Sequence, residues 1–254
     1  MASFPRGQGG RQVARVEPAD PTAAPADWWL VADTASPRLS LALARGRELH
    51  AQWGVKSQRP SVHRVVGDIA YLLERTGVQP KDLSAVGALV GPGSFTGIRV
   101  GLAAVKGLAQ PRNLPIVTAT TLEVAAGAIA AREPTAALVV NVSHRREVHG
   151  QGFLVEPGAF PEAFTEALAG DVAQVVDRLA AQSPSDRPRV ITGDALTLLD
   201  DARLAVPIGD WARQPPPPWL APAALPRLAA RLAEGATISA TRVAAFYARA
   251  ALAT

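Results

Sequence analysis

The chain has 254 residues, 48% of them hydrophobic, and its 26 basic and 22 acidic side chains leave a formal charge of +4 at pH 7. It has no cysteine, which excludes disulfides, Cys-ligated zinc and thiol catalysis. No run of about 18 apolar residues is present to form a membrane span, and the apolar fraction suffices for one large domain or two small ones. A cytoplasmic protein with no membrane contact is expected.

Met1–Ala26 is rich in Pro, Gly, Ala and Arg and lacks the apolar core, about 7–15 residues long, of a secretory leader. Residues 1–27 are expected to form a disordered extension. Trp28–Asp33, Leu39–Ala44 and Glu48–Val55 read as three strands of an antiparallel meander, with Ala44-Arg45-Gly46-Arg47 turning between the last two. From Ser61 the apolar residues Val62, Val65, Val66, Ile69, Leu72 and Leu73 follow helical spacing, and Gly77 is placed to cap the helix. Val86–Val90 reads as a strand, 96–110 as a helix, Pro115–Thr118 as a strand and Leu122–Ala131 as a helix.

The second half opens again with strands, Ala136–Asn141 and Glu147–Glu156. A helix over Asp171–Ala181, a strand at Arg189–Thr192 and a turn at Gly193-Asp194-Ala195 follow. Pro215–Pro218 is a stiff linker; Ala223–Glu234 and Thr241–Leu252 read as helical. The order suggests two related βββαβα halves, over 28–132 and 133–254, although no sequence repeat is visible.

Between the strand at Val86–Val90 and the next helix lies Gly91-Pro92-Gly93-Ser94-Phe95-Thr96-Gly97-Ile98-Arg99. Such a turn can bind phosphate, because helix N-terminal amides point out of it. It is no P-loop, since Ile98 and Arg99 follow Gly97 where Lys and Ser/Thr are required. It misses the dinucleotide fingerprint by one residue. It is no nucleophile elbow, because Pro92 and Thr96 flank Ser94. A tight turn that packs a helix close to a sheet is the simpler reading.

This motif, continued by Val100-Gly101, resembles the signature of the TsaB (YeaZ) family. Its context resembles that family too: Asp33-Thr34-Ala35-Ser36, Lys106-Gly107-Leu108-Ala109, Pro115-Ile116-Val117, Thr121-Leu122-Glu123 and, near the end, Tyr247-Ala248-Arg249. The resemblance covers roughly 28–130 and is weak beyond. It implies an α/β, actin/Hsp70-like fold of two RNase-H-like lobes. It implies a non-catalytic subunit that dimerises with the ATPase TsaD. With TsaE and a threonylcarbamoyl-adenylate synthase, that pair modifies the tRNA adenosine next to the anticodon. TsaD would hold the metal and nucleotide, so this chain needs no cofactor of its own, apart from a nucleotide at the interface with TsaD. In two places the family pattern is broken. Val62-His63 stands where Arg-His is usual, and no carboxylate precedes Arg145-Arg146-Glu147.

Gly97, Gly101, Ala104 and Leu108 share one helical face; Ile98, Leu102, Val105 and Ala109 form a second apolar stripe about 100° around. With the family's use of its first two helices, the expected partner interface is Val62, Val66, Ile69, Leu73, Gly97, Gly101, Ala104 and Leu108, and the same surface would form a homodimer when the chain is alone. A helix wholly buried in its own domain is the competing reading. Asp33 and Thr34 are candidates for a vestigial nucleotide site. No catalytic residue or metal ligand is expected: His50, His63, His144 and His149 form no i, i+4 pair, and no nucleophile–base pair is evident. An independent actin-like ATPase or a glycoprotease-like peptidase is the alternative. Arg99, Lys106 and Arg112, with no acid between them, suit either a solvated face or a nucleic-acid contact; tRNA is expected to be met indirectly, through the complex.

Overall fold

The computed structural model describes residues 11–13, 27–56, 64–144, 147–199 and 208–250. The extension expected over 1–27 falls outside them apart from Asp27 and a short strand β1 (Arg11–Val13), which pairs antiparallel with the edge of the first sheet. The start of the first helix, with Val62 and His63, also lies outside them.

The first sheet contains β2 (Trp28–Asp33), β3 (Arg38–Arg45), β4 (Glu48–Lys56), β5 (Leu83–Leu89) and β6 (Ile116–Ala119), in the order β1-β4-β3-β2-β5-β6. The β2–β4 meander is antiparallel, and β5 and β6 continue parallel to β2. The second sheet contains β7 (Thr135–His144), β8 (Glu147–Val155), β10 (Leu168–Asp171), β11 (Arg189–Thr192), β12 (Ala212–Gln214) and β13 (Arg249–Ala250), with the two-residue β9 (Glu162–Ala163) on β8. Its order is β12-β11-β7-β8-β10-β13. Without β1, β9 and β13, both sheets have the same plan: a three-stranded meander continued beyond its first strand by two parallel strands, β5 then β6 in one and β11 then β12 in the other. The two βββαβα halves are therefore real in topology. The strands β10 and β12, not recognised in the sequence, complete the second; each has few apolar residues and sits near a sheet edge.

The largely apolar runs of β2, β3 and β5, broken only by Ser40 and Ser84 between their ends, follow from burial on both faces. Alternate residues split between two cores. Trp28, Leu30 and Ala32 meet α1 (Val65–Thr76) and α2 (Phe95–Ala109), while Trp29 and Val31 meet α6 (Leu220–Ala223) and α7 (Leu225–Ala233). Helix α1 ends as expected, with Gly77 at φ 69° and its N–H on the last turn's carbonyls. On the second sheet, α4 (Val172–Ala181) covers one face; α3 (Thr121–Gly127) covers the other through Leu122, Ala125 and Ala126. The short α5 (Leu196–Leu199) follows β11.

Two expectations are corrected here. The boundary at 133 does not divide the packing: α3 from the first half lies on the second sheet, and α6 and α7 from the second half return to the first. Each sheet needs its second face covered, and the crossed helices supply that cover. Likewise the helix expected over Thr241–Leu252 is absent from its described part. After a turn at 241–242 the chain runs on without helix to the short strand at Arg249–Ala250, with Val243 buried in the first core and Phe246 packed against both cores. Burial of these two side chains overrides the helix propensity of the alanines.

The crossing is fixed by one polar cluster. Glu123 on α3 accepts from Arg227 Nε at 2.6 Å and Arg231 Nη2 at 2.8 Å, both on α7. Arg231 also donates to the Thr118 carbonyl, and the Arg227 guanidinium lies 4.7 Å from the Phe160 ring centroid in the second half. Glu123 is nearly buried while both arginines are about a quarter exposed, so solvent weakens the pairing. Glu123→Gln is expected to cost about 1–2 kcal/mol, read as a lower urea midpoint; an unchanged midpoint would show that the cluster does not hold the helices together.

Candidate functional site

The Gly91–Arg99 turn is a packing junction with several of its polar groups engaged within the chain. Gly91 has φ 101°, a region that favours glycine. Its carbonyl accepts from Thr121 N at 2.9 Å, and Thr121 Oγ1 donates to the Pro92 carbonyl at 2.6 Å. Ser94 N donates to the Ala35 carbonyl at 2.8 Å, and Ser94 Oγ caps α2 by accepting from Gly97 N at 3.1 Å. Two of the amides that would face an anion are therefore taken. The glycines permit close approach: a methyl on Gly93 would overlap the Ala35 carbonyl, one on Gly97 the Thr34 carbonyl, and one on Gly101 the Thr34 hydroxyl. Thr34 Oγ1 in turn donates to the Gly97 carbonyl at 2.8 Å. The motif thus clamps the β2–β3 hairpin onto the start of α2. This arrangement supports the simpler reading of the motif, a tight turn that packs the helix close to the sheet.

The same geometry corrects the expected interface. Gly97 and Gly101 face the chain's own hairpin, and Ile69 and Leu73 are buried in the first core. Ala104 and Leu108 are half-buried against that core. Of the eight residues only Val66, 66% exposed, is fully available, and Val62 lies outside the described residues. Helical spacing located the small residues but not which side of α2 faces the sheet. The outer side of the α1–α2 layer carries instead Val66, Gly67 and Ala70 on α1 and Ala103 and Gly107 on α2, all exposed, with Arg99 at one end. A side chain added at Gly67 or Gly107 would meet open space. The small side chains suit a close helical contact, and Glu74 on α1, one turn from Ala70, and Lys106 on α2, next to Gly107, add charge beside them.

Between the halves, Asp33 ends β2 fully buried. Its Oδ1 accepts from Ala35 N at 3.0 Å and Ser36 N at 3.2 Å, while Oδ2 has no partner. Burial pushes its carboxyl up to about 6; hydrogen bonds from Ser36 and Ala35 oppose this, and the carboxylate of Asp194 adds to it. Asp194, just after β11, is also raised, by burial above all, against hydrogen bonding from Val142 N and the charge of Arg38. Its Oδ1 accepts from Val142 N at 2.5 Å, and its own N–H donates to Asn141 Oδ1 at 3.2 Å. Asp33 ends the first strand of its sheet's meander, while Asp194 follows β11, the counterpart of β5 in the second sheet. Thr34, however, turns away from this place toward α2. The hairpin amides that would cradle a phosphate are bound to Asp33, so the residues present do not fit a nucleotide at this hairpin.

His144 and His149 lie on the two strands of the β7–β8 hairpin, opposite Glu147 and Asn141 respectively. His149 is held below its ordinary pKa by burial. Among the described residues no group of three or more His, Asp or Glu could hold a metal ion, and no helix is long and apolar enough to cross a membrane.

The family model described as "TsaD: tRNA N6-adenosine threonylcarbamoyltransferase" matches residues 54–186. The tRNA threonylcarbamoyladenosine biosynthesis protein TsaB of Bacillus subtilis (strain 168) is 32% identical over 94 residues, 37% of this chain and 41% of that protein. Its counterpart from Escherichia coli (strain K12) is 32% identical over 93 residues, 37% of this chain and 40% of that protein. The chain belongs to the TsaB (YeaZ) family. Its aligned segment spans about two fifths of the curated relatives' length. The crystal structure of an uncharacterized protein with similarity to peptidase YEAZ from Pseudomonas aeruginosa matches at a TM-score of 0.71 and 21% identity, over 88% of this chain and 100% of that one. The likeness extends the fold beyond the aligned segment, and with the repeated sheet plan it makes the fold actin-like. The polar cluster at Glu123 and the tail around Phe246 were not singled out from the sequence: their partners lie more than 100 residues away for Glu123 and across both cores for Phe246. The family-like stretches Thr121-Leu122-Glu123 and Tyr247-Ala248-Arg249 were the signals the sequence offered for them.

Proposed function

We propose that this chain is a non-catalytic subunit in threonylcarbamoyladenosine formation on tRNA, docking a TsaD-type protein through the outer face of α1 and α2. The observation that carries this reading is the pairing of an internally satisfied motif turn with an exposed, small-residue helical face beside it. Family membership supplies the pathway. Alone, the chain pairs with a second copy through the same face; TsaE joins the assembled pair, tRNA is met through the complex in the cytoplasm, and any nucleotide is held mainly by the partner. The reading as an independent ATPase or peptidase has against it the engaged hairpin amides and the lack of a nucleophile–base pair among the described residues.

Light scattering of the chain alone and mixed with the same organism's TsaD tests this. A homodimer that converts to a one-to-one heterodimer is expected; a chain that ignores TsaD would end the proposal. Ala103→Arg places a charge in the contact and is expected to weaken association at least about tenfold, the cost of desolvating an unpaired charged group, with the melting temperature unchanged. Unaltered association would move the interface elsewhere.

A further inference from the structure

The tail after α7 connects three parts of the molecule. Ile238 exchanges two hydrogen bonds with Ile116 on β6, the edge of the first sheet, at 2.8 and 3.1 Å. Val243 then enters the first core. Phe246 N donates to the Val90 carbonyl at 2.8 Å, at the entrance to the motif turn. The Phe246 carbonyl lies 2.9 Å from where a side chain on Gly91 would begin, so the absence of that side chain makes the seat. Phe246 packs against both cores and Ala248 against the second. Finally β13 pairs parallel with β10, Leu168 opposite Arg249 and Ala169 opposite Ala250.

Outside this seat, three exposed side chains stack. Tyr247 and Phe95 are 53% and 54% exposed with ring centroids 6.0 Å apart, and the Arg99 guanidinium lies 3.7 Å from the Phe95 centroid. Phe95 and Arg99 are on the first turns of α2, so the tail is tied to the helix that also forms the docking face.

We propose that residues 236–250 are an interlobe strap, running from the edge of the first sheet over the Gly91 turn to the edge of the second, and that the Phe95–Tyr247 contact couples its seating to whatever covers α2. The strap sets how the second sheet is held against the first. The coupling to a bound partner rests on the docking reading above; the strap itself does not.

Hydrogen exchange on the full chain tests both parts. Tyr247→Ala leaves the cores intact and is expected to speed exchange of the strap amides and of Leu168–Asp171 about twofold to tenfold, the range that an aromatic pair supplies, while β2 and β5 stay unchanged. Phe246→Ala is expected to speed the same amides more than about tenfold. Unchanged β10 exchange in both variants, or uniform acceleration in Tyr247→Ala, would overturn the strap. Adding TsaD is expected to slow β10 exchange in the wild type and much less in Tyr247→Ala. Binding seen by light scattering with no effect on β10 would remove the coupling and leave the docking reading standing.

Discussion

Gly97→Ala is expected to destabilise the chain by about 2 kcal/mol, while Gly107→Ala in the same helix stabilises it by up to about 1 kcal/mol. The same atoms are added in both cases, and helix propensity favours alanine in both. At Gly107 the methyl meets open space, so the propensity term stands alone. At Gly97 it meets the Thr34 carbonyl oxygen, a backbone atom that cannot rotate aside. Overpacking of this kind costs about 3 kcal/mol, which exceeds the propensity gain of about 1. For a chain of this size the difference corresponds to a melting temperature lower by about 4–8 °C for Gly97→Ala. Gly101→Arg, which places a far larger group against the Thr34 hydroxyl, is expected to unfold the first lobe, so loss of partner binding in that variant would report misfolding. Equal melting temperatures for Gly97→Ala and Gly107→Ala would disprove the clamp between the motif and the hairpin.

Asp33→Asn is expected to raise stability at pH 8 and flatten its pH dependence between about pH 4 and 7. The carboxyl titrates near 6 in the fold against 3.8 as the ordinary value. With the folded pKa raised, its contribution is fully present below the unfolded value and is lost as pH rises through the folded one. Above that, the buried charge costs up to about 3 kcal/mol. An asparagine keeps an oxygen for the Ala35 and Ser36 amides and removes the charge. Its NH2 group then stands where Oδ2 now lacks a partner, which limits the gain. Asp194, raised in the same direction, leaves part of the pH dependence in the variant. Urea midpoints for both proteins from pH 4 to 8 provide the measurement, and parallel curves would show that Asp33 does not carry the penalty.

Asp33 was legible in the sequence because a carboxylate ends a wholly apolar strand. Its energetic state was not, because that depends above all on burial by segments far apart in the chain, with a smaller contribution from Asp194, 161 positions later. The glycine motif was likewise conspicuous, and its failure to match phosphate and nucleophile signatures excluded three chemistries. The direction in which Gly97 and Gly101 face was misjudged. A stripe of small residues records only that something comes close, and either the chain's own hairpin or a partner satisfies that requirement. Val66 illustrates the same limit: it lies in the apolar stripe of α1, yet Val65, Ile69, Leu72 and Leu73 complete the buried face without it.

The sequence by itself determined the element order of the first half, the cap at Gly77, the family and the absence of thiol chemistry, because these depend on residue type and short spacing. Tertiary structure alone decided the crossed helices, the non-helical tail and the identity of the open face. Each of these depends on which of two competing surfaces covers an apolar residue, and that choice is made between segments far apart in the chain. Thr241–Ala250 shows the physical reason most plainly: its alanines favour a helix locally, but the segment is not helical and instead seats Val243 in the first core and Phe246 against both.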